Sequence, residues 1–393
     1  MSMCAVEWKS LGDVCYISDY VSNGSFASLR ENVIYKNYPD FAVLVRFADY
    51  SNGFDESRFI YIDEHAYNFL SKSSLEGGEI IMSNVGSCGM FFRCPILNRK
   101  MSLAPNSILI KSEYIDYLFH WLGSKTGQEA IKKITSKSAM PKFNKTEFKK
   151  IQIPIPSLAK QQEIVSQLDT FTTLISNLES ELDMRRKQYE HYRNQLLDFE
   201  GVEKRPLGEI CDIIRGNGVQ KTDFTETGVG CIHYGQIYTH YGLFADKTNK
   251  FVSNDVALKA RKASKGDIIM TSTSENVEDI CKCVVWCGED DVAVSAHALI
   301  LKNSLNPKFI AYCSTTYDFF NQKRSLARGA KVVEIKPEQV AKVKIPFPSP
   351  NKQQQIVEKL DAFEQLIQSL ETEIKLRKQQ YEYYREKLLT FEK

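Results

Sequence analysis

LAKQQEIVSQLDTFTTLISNLESELDMRRKQYEHYRNQLLDF occupies Leu158 to Phe199, and nearly the same sequence returns later in the chain. The second copy, PNKQQQIVEKLDAFEQLIQSLETEIKLRKQQYEYYREKLLTF, occupies Pro350 to Phe391. Matching residues such as Asp169 and Asp361 are 192 positions apart throughout, and no gap is needed. The match predicts that the two halves of the chain share one architecture.

Apolar and aromatic residues recur in each copy at alternating steps of four and three, which is typical of a coiled coil. We therefore expect two long helices that pack through this seam. Arg185 and Arg377 occupy one seam position in each copy, where they could fix the register or extend to solvent. The predicted interface residues are Ile164, Leu168, Phe171, Ile175, Leu178, Leu182, Tyr189 and Leu196, and Ile356, Leu360, Phe363, Ile367, Leu370, Ile374, Tyr381 and Leu388.

The start of each helix is also marked. Ser349-Pro350 places a capping serine before a proline at the first helical position, and Ser157 repeats the cap one copy earlier. If the helices pair within the chain, the segment between them joins the end of the first to the start of the second. Antiparallel pairing brings those ends together, so we expect it, with the two globular segments at opposite ends about a pseudo-two-fold axis.

Composition sets broad limits on the kind of protein. The chain has 393 residues, 43% of them hydrophobic, which suffices for ordinary cores in two or three domains. No apolar run reaches the roughly 18 residues of a membrane span, and the N-terminus lacks an apolar secretion segment. Ten scattered cysteines do not form a disulfide framework, so the expected compartment is the cytoplasm.

Positive charge is concentrated just before each helix. Eleven Lys and Arg stand against four Asp and Glu from Arg99 to Lys150, and nine against three from Lys302 to Lys344, in a chain of net charge +2. Such clusters fit a surface that binds phosphates. A merely solvated basic surface is the alternative for either stretch alone.

The two globular segments resemble each other faintly. Gly78 to Met82 (GEIIM) matches Gly266 to Met270 (GDIIM), and similar anchors precede each helix. In the first segment, Phe41 to Phe47 predicts a buried strand and Gly77 to Phe92 a strand, a turn and a strand. Tyr114 to Ile134 has helical spacing. Conserved anchors between divergent loops indicate a duplicated domain.

A search for catalytic or metal-binding groups finds none above chance. Cys281, Cys283 and Cys287 alternate as on one face of a strand, and with His297 they lack the tight spacing of a zinc site. The sequence Asn306-Pro307-Lys308-Phe309 departs from the Asn-Pro-Pro-Phe motif of adenine methyltransferases, and no glycine-rich cofactor strand precedes it. We therefore expect no enzymatic activity and no metal in this chain.

Polar, glycine-containing stretches remain as candidates for DNA contact. Arg, Asn and Gln can pair with base edges, whereas Lys and backbone N–H groups hold phosphates. Ordinary surface loops are an equally good interpretation of each residue taken singly. The candidate DNA-binding residues are Arg46, Asn84, Ser87, Lys137 and Lys142 in the first half, and Arg215, Gln220, Lys221, Tyr234, Gln236, Ser274, Asn276, Arg328 and Lys331 in the second.

Together these features resemble the specificity subunits of type I restriction–modification systems. The resemblance rests on IPIPSLAKQQEIVSQLD and IPFPSPNKQQQIVEKLD at the helix starts, and on GGEIIM and KGDIIM upstream. Many members have Pro-Pro and Glu-Gln where this chain has Ile155-Pro156 and Lys160-Gln161. That departure affects a subfamily assignment and leaves the family resemblance intact.

The resemblance implies an α+β fold with two mixed α/β target recognition domains, residues 1–156 and 201–348, and two coiled-coil helices, residues 157–200 and 349–393. Each domain would bind one half of a two-part sequence in double-stranded DNA, and the paired helices would set the spacer. Two adenine methyltransferase subunits would dock on the helices, and motor-nuclease subunits would join them for restriction. S-adenosylmethionine, ATP and magnesium would be bound by those partners.

A different class of function also fits the repeat. A non-catalytic coiled-coil scaffold could carry the duplicated end domains as binding sites for proteins, with no role on DNA. The basic stretches discriminate between the two hypotheses, because binding to DNA weakens steeply with salt as counterions are released.

Overall fold

A computed structural model describes residues 6–199, 201–303, 305–329 and 331–391, so the predicted segment bounds at 1, 200 and 393 lie outside the described residues. The chain divides into two compact units, Met1–Glu179 with Glu373–Lys393 and Ser180–Thr372. We call them the first and the second unit. Each contains one α/β domain and parts of two long helices.

The first unit opens with a strand and alternates short helices with strands up to the first long helix. Short 3-10 helices lie at Tyr20–Asn23, Glu56–Arg58 and Ser71–Ser73. The helices are α1 (Leu11–Val14), α2 (Phe26–Asn32), α3 (Phe47–Ser51), α4 (Glu64–Phe69), α5 (Ile115–Gly123), α6 (Lys125–Ile134), α7 (Lys145–Lys149) and α8 (Leu158–Leu197). The strands are β1 (Glu7–Ser10), β2 (Tyr16–Asp19), β3 (Ala42–Val45), β4 (Tyr61–Ile62), β5 (Ser74–Leu75), β6 (Ile80–Ser83), β7 (Phe91–Arg93), β8 (Lys100–Leu103), β9 (Ser107–Lys111) and β10 (Gln152–Ile155).

The second unit has the same plan with additional short strands. A 3-10 turn lies at Lys221–Asp223. The helices are α9 (Leu207–Ile210), α10 (Tyr234–Thr239), α11 (Asn254–Lys259), α12 (Pro307–Ser314), α13 (Tyr317–Leu326), α14 (Pro337–Val340) and α15 (Pro350–Leu389). The strands are β11 (Lys204–Pro206), β12 (Cys211–Arg215), β13 (Phe224–Thr225), β14 (Val229–Ile232), β15 (Phe244–Ala245), β16 (Phe251–Val252), β17 (Lys262–Ala263), β18 (Ile268–Thr271), β19 (Thr273–Ser274), β20 (Cys283–Trp286), β21 (Val292–Val294), β22 (Ala298–Asn303), β23 (Val333–Glu334) and β24 (Lys344–Pro346).

Sheet topology is common to the two domains. The order β2-β9-β6-β7 in the first unit returns as β12-β22-β18-β20 in the second, with β15 added at the edge. The order β4-β3-β8-β5 returns as β16-β14-β21-β17, with β13 added, and the central pair of each is parallel. The predicted domain duplication is therefore confirmed at the level of strand order.

The two ends of each domain are held together by a strand pair. β1 runs antiparallel to β10, with Trp8 opposite Pro154, and β11 runs antiparallel to β24, with Arg205 opposite Ile345. Both closing strands lead directly into a long helix, α8 or α15. Each domain is thus closed where its helix begins.

The long helices pair antiparallel within each unit, as predicted. In the first unit the Phe171 ring stacks on Tyr384 with ring centroids 5.4 Å apart, while Glu179 further along α8 binds Lys378 earlier in α15 at 2.7 Å. The second unit shows the same reversal. Arg186 of α8 binds Glu371 at 2.6 Å, and residues later in α8 meet residues earlier in α15.

The predicted seam residues are buried or partly buried, but not all against the other helix. Ile164 and Leu168 are buried in the core of the first domain, and Ile356 and Leu360 in that of the second. Near the helix ends the buried leucines are Leu197 and Leu389, each one residue beyond the predicted Leu196 or Leu388, which are only partly buried. There the helix packs on a domain, which changes the face that is covered. The partly buried seam residues are Phe171, Leu178, Leu182, Tyr189, Leu196, Phe363, Ile367, Tyr381 and Leu388, and the buried ones are Ile164, Leu168, Ile175, Ile356, Leu360, Leu370 and Ile374.

The seam arginines bond within their own helices. Arg185 forms an ion pair with Glu181 at 3.4 Å and donates to Gln188 at 3.0 Å. Arg377 repeats both contacts with the residues 192 positions later, at 2.7 and 2.9 Å. Local partners therefore bind both guanidinium groups, although the buried Nε of Arg185 donates to no partner among the described residues.

Three local predictions need correction or refinement. The helical stretch Tyr114 to Ile134 is two helices, because the Ser124 hydroxyl caps α6 by accepting from Gly127 N at 3.1 Å. The strand predicted from Phe41 to Phe47 is the buried β3, and its last residue already belongs to α3. Of the three alternating cysteines only Cys283 lies in a strand, since Cys281 has a left-handed φ of 62°.

Other global expectations concern membranes and thiols. No helix within the described residues is long and apolar enough to span a bilayer. The nine cysteines of the described ranges are all free thiols.

Candidate nucleic-acid interface

One β-hairpin in each domain brings two of the predicted DNA-contacting stretches together. In the first unit the hairpin loop, residues 84–90, joins β6 to β7, and the arm, residues 135–143, follows α6. Phe143 N of the arm donates to Asn84 O at 3.1 Å, and Gly86 N of the hairpin loop donates to Pro141 O at 2.8 Å. The predicted stretches therefore form one surface.

The second unit has the same junction. Its hairpin loop, residues 272–282, joins β18 to β20, and its arm, residues 327–335, follows α13. Ile335 N donates to Ser272 O at 2.9 Å, and β19 in the hairpin loop pairs with β23 in the arm. The seven-residue loop of the first unit is thus replaced by an eleven-residue loop on the same framework.

Four of the five candidates in the first unit lie at this junction. Asn84 and Ser87 belong to the hairpin loop, and Lys137 and Lys142 are exposed on the arm. The Asn84 Oδ1 atom is buried and accepts no hydrogen bond from the described residues. It borders a cleft of about 500 Å³, so it is a polar atom without a protein partner beside an open space.

Arg46 is the exception in the first unit. Its Nε donates to the buried carboxylate of Asp49 at 3.1 Å, and its Nη2 donates to Arg58 O at 2.8 Å. These bonds tie the guanidinium to the loop around α3. Arg46 therefore has fewer donors to offer a base than its sequence context suggested.

In the second unit a cleft of about 540 Å³ gathers five of the nine candidates. Lys221, Tyr234, Gln236, Ser274 and Asn276 line it. The same cleft is bordered by Phe224, His233 and Tyr238, which form an aromatic cluster with Tyr234. Aromatic faces beside a lysine and short polar side chains suit contact with bases and phosphates.

Gln236, Arg215 and Asn276 of the second unit have hydrogen-bond partners within the chain, as does Arg328 of the arm. The Gln236 amide accepts from His233 N at 2.8 Å and donates to Asn249. Arg215 donates to Ala296 O at 3.0 Å and to Glu334 at 2.9 Å. The Asn276 amide bonds with Asp279 through both its oxygen and its nitrogen, which folds the loop on itself.

The remaining candidates lie on exposed segments. Gln220 and Lys221 precede β13, and Arg328 and Lys331 belong to the arm; all four side chains are exposed. The Nη1 atom of Arg328 donates to Ser325 O at 2.7 Å and to Ala327 O at 2.9 Å. Cationic side chains at these positions are accessible to phosphates without any rearrangement of the fold.

The titratable groups that line the second cleft include Lys221, His233, Glu275 and Asp279. Burial lowers the pKa of His233 to about 4, and the ammonium of Lys221 contributes further. The ring is therefore neutral at physiological pH, and its Nδ1 accepts from Gly235 N at 3.2 Å. The histidine thus fixes the start of α10 and leaves the positive charge to Lys221.

Two aromatic residues of this cleft were not among the candidate residues named from the sequence. Tyr238 and Phe224 border it, and the Tyr238 hydroxyl donates to Thr273 O at 2.6 Å. Tyr234 and Tyr238 are four residues apart on α10, a spacing that places both on one helical face. This four-residue spacing was the sequence signal that could have identified Tyr238.

Each domain is also fastened to a long helix through matched aspartates. In the first unit buried His120 bonds to Asp169 at 2.8 Å and to Tyr381 at 3.2 Å. In the second unit Tyr312 donates to Asp361 at 2.7 Å, and Lys308 pairs with the same carboxylate. Burial lowers the pKa of His120, so its ring is neutral at pH 7.

The helices of the second unit also present an apolar groove. Tyr192, Leu196, Phe363 and Leu366 border a space of about 630 Å³ on the surface of the helix pair. Tyr192 and Leu366 are each 38% exposed.

Within the described part of the chain no group of three or more His, Cys, Asp or Glu residues could hold a metal ion. The sequence Asn306-Pro307-Lys308-Phe309, which departs from the methyltransferase motif, forms the start of a helix. Asn306 caps α12 by accepting from Lys308 N at 3.0 Å, and Pro307 is the first residue of that helix.

Comparison with protein families finds one domain twice. The model described as "Type I restriction modification DNA specificity domain" matches residues 5–184 and residues 199–377. Each match includes one α/β domain and a part of the long helix that follows it.

Individual relatives are named as specificity subunits of type I restriction enzymes. The specificity subunit of the type I restriction enzyme EcoR124I/EcoR124II from Escherichia coli is 34% identical over 270 residues, which are 62% of this chain and 64% of that protein. A putative type I restriction enzyme specificity subunit from Haemophilus influenzae, S.HindORF215P, is 28% identical over 405 residues, covering 98% of this chain and 96% of that one.

Solved structures share the fold over nearly the full chain. The S subunit of a type I restriction–modification system from M. genitalium aligns with a TM-score of 0.57 at 14% identity, covering 100% of this chain and 98% of that chain. A chain from a structural study of complex assembly in the type I system aligns with a TM-score of 0.58 at 16% identity, covering 98% and 97%.

Proposed function

The chain belongs to the family of type I restriction–modification specificity subunits, and on that premise we propose that each of its domains reads one half of a two-part DNA sequence. Such a subunit recognises DNA and leaves catalysis to other subunits. The observation that supports two readers is the matched junction of hairpin loop and arm. Its framework is the same in both units, whereas its loop lengths and side chains differ.

We assign the two kinds of DNA contact to different parts of that junction. Exposed Lys137 and Lys142 of the first arm would bind phosphates, as would Arg328 and Lys331 of the second. The hairpin loops and the aromatic cleft would meet base edges in the major groove. The proposed base-contacting residues are Asn84, Ser87, Gln220, Tyr234 and Ser274, with Lys221 at the rim; Arg46, Arg215, Gln236 and Asn276 would support the loops.

The paired helices are proposed to set the spacer between the two half-sites. Two half-sites about 34–36 Å apart lie on one face of the duplex, so a stiff connector selects both distance and rotational phase. Removing one heptad from α8 and one from α15 should change the number of unread base pairs while leaving both half-sequences intact. A spacer that is unaltered by this deletion would contradict the proposal.

The groove bordered by Tyr192, Phe363 and Leu366 supports docking of a methyltransferase subunit on the helices. Partly exposed aromatic and aliphatic side chains are the usual centre of a protein interface. The proposed partners are double-stranded DNA, two methyltransferase subunits and, for restriction, two motor-nuclease subunits. S-adenosylmethionine, ATP and magnesium are assigned to those partners.

Sequencing of methylated adenines in cells with and without this chain tests the function directly. A two-part methylated motif that depends on the chain is the expected result. A protein-binding scaffold would produce no such motif, and its complexes would not show the steep loss of affinity with salt that phosphate contacts cause.

A further inference from the structure

A lysine buried in the second unit contacts the longer hairpin loop. Lys323 lies on α13 and is only 6% exposed, although it was counted among the basic residues that could face phosphates. Its Nζ donates to Glu278 O at 2.8 Å and to Ile280 O at 2.6 Å. A buried ammonium is tolerated only where hydrogen bonds compensate for lost water, and here the compensating acceptors are backbone carbonyls of the loop.

The loop that Lys323 holds has little regular structure of its own. Thr271 N and Lys282 O close its base at 2.8 Å, and Cys281 adopts a left-handed φ of 62°, which is unfavourable for a residue with a Cβ. Between them, the Asn276 and Asp279 side chains bond with each other at the tip. The lysine therefore fixes the segment that connects the tip to β20.

The first unit lacks this arrangement. The residue 192 positions before Lys323 is Ile131, which lies on α6 in the domain core. There the shorter hairpin loop is held from the same helix by Gln128, whose amide donates to Gly89 O at 3.2 Å. In each domain the helix before the arm holds the hairpin loop, and the donor that does so differs with the length of the loop.

We propose that Lys323 is a positioning residue that determines the specificity of the second domain by holding the tip of its hairpin loop, residues 274–279, toward DNA. This inference rests on the proposed function. Ser274, Asn276 and Asp279 line the aromatic cleft. Of the two carbonyls bonded by Lys323, that of Glu278 lies within this tip and that of Ile280 follows it directly. A loop that moves here displaces base-facing groups without altering the sheet beneath.

The test uses the full chain assembled with its methyltransferase subunits. Lys323→Met removes the two donated bonds and keeps an unbranched apolar stem. DNA affinity is measured for the cognate site and for sites with one base changed in either half. We expect discrimination against changes in the second half to fall by roughly tenfold, the order of one mismatched base pair, and discrimination in the first half to stay unchanged.

Two measurements separate positioning from general loss of structure. Hydrogen exchange should accelerate at Cys281 and Lys282 in the variant, and remain unchanged at the β18 and β22 amides. The matched control Ile131→Met, at the corresponding place in the first unit, should leave both half-sites and both loops unaffected.

If Lys323→Met unfolds the second domain, a combined variant decides the question. Deleting residues 275–278 together with Lys323→Ile reproduces the loop length and apolar helix of the first unit. We expect it to fold and to read a different second half. Undiminished discrimination in the second half by folded Lys323→Met, or retention of the original second half by the folded combined variant, would overturn the inference. A wild-type complex without any two-part motif would refute the proposed function instead.

Discussion

The two units build the same framework and differ mainly where they would meet a ligand. Strand order and the closing strand pair recur in both units. So do the aspartates by which each long helix binds its domain, with Asp169 and Asp361 at matching positions. The hairpin loops differ by four residues, and the groups that bond the aspartates are a histidine in one unit and a tyrosine with a lysine in the other. The comparison shows that geometry is retained where a domain joins a helix, while chemistry is free to change.

The strongest test of this separation exchanges a whole domain. Replacing residues 11–151, between β1 and β10, with the corresponding segment of another family member should replace the first half of the methylated sequence completely. The second half and the spacer should persist, because the second unit and the helices are unaltered. Methylation sequencing measures all three, and a change in the second half would show that the units do not act separately.

The helix-to-domain contact should matter equally in both units. Leu168 and Leu360 are fully buried at matching positions in the two domain cores. Leu168→Ala and Leu360→Ala should each lower the free energy of unfolding of their own unit by about 2–5 kcal/mol. Urea unfolding followed by hydrogen exchange resolves the two units, with exposed Leu174→Ala as a control that should cost much less. A large effect in only one unit would break the equivalence.

Lowering the pH should reduce the free energy of unfolding of the two units to different extents. The pKa of His233 is lowered from 6.5 to about 4 in the fold, so the unfolded chain takes up a proton before the folded second unit does. The free energy of unfolding of that unit should therefore fall by about 3 kcal/mol as the pH drops from about 6.5 to about 4.

In the first unit burial also lowers the pKa of His120, but the hydrogen bond to the Asp169 carboxylate partly offsets that shift. The free energy of unfolding of the first unit should therefore fall less in acid. Exchange rates of β18 and β6 amides, corrected for intrinsic rates, report on each unit. His233→Asn, which keeps an acceptor near Gly235 N, should remove most of the extra acid sensitivity of the second unit. An undiminished loss in that variant would assign the effect to other groups.

The smallest effect is expected for a side-chain hydrogen bond that recurs at the start of both long helices. Gln161 and Gln353 are buried near the starts of α8 and α15 and donate to Pro156 O and Pro348 O at 2.8 and 2.9 Å. Gln161→Leu and Gln353→Leu should each cost about 1–3 kcal/mol, because the proline carbonyl loses its donor. Thermal unfolding measures both, with exposed Gln162→Leu as the matched control; unequal losses would show that the two helix starts are not equivalent.

The sequence predicted the elements that are marked by a pattern repeated in both halves of the chain. The four-three spacing predicted both helices, and the segment that connects them predicted their antiparallel pairing. The GEIIM and GDIIM anchors predicted that the two domains share a framework. Ser124 shows the limit of such patterns, since helical spacing continues across a serine that caps a new helix. Leu197 shows another, because spacing does not reveal where a domain replaces a helix as the partner.

The interface was harder to predict than the fold. The sequence identified the stretches that form the two junctions, but it could not show which side chains already have internal partners. Gln236 and Arg46 had suitable chemistry and proved to be bonded within the chain, whereas Lys323 appeared to be a surface cation and is buried. Such outcomes depend on contacts between segments far apart in sequence.

The closing strand pair has an evolutionary consequence. Because β1 lies against β10 and β11 against β24, the chain enters and leaves each domain at neighbouring points. Recombination between related genes at these two places would transfer an intact cassette without disturbing the helices. If each domain reads one half-site as proposed, a cell could then acquire a new target sequence in one genetic event while the helices stay as they were.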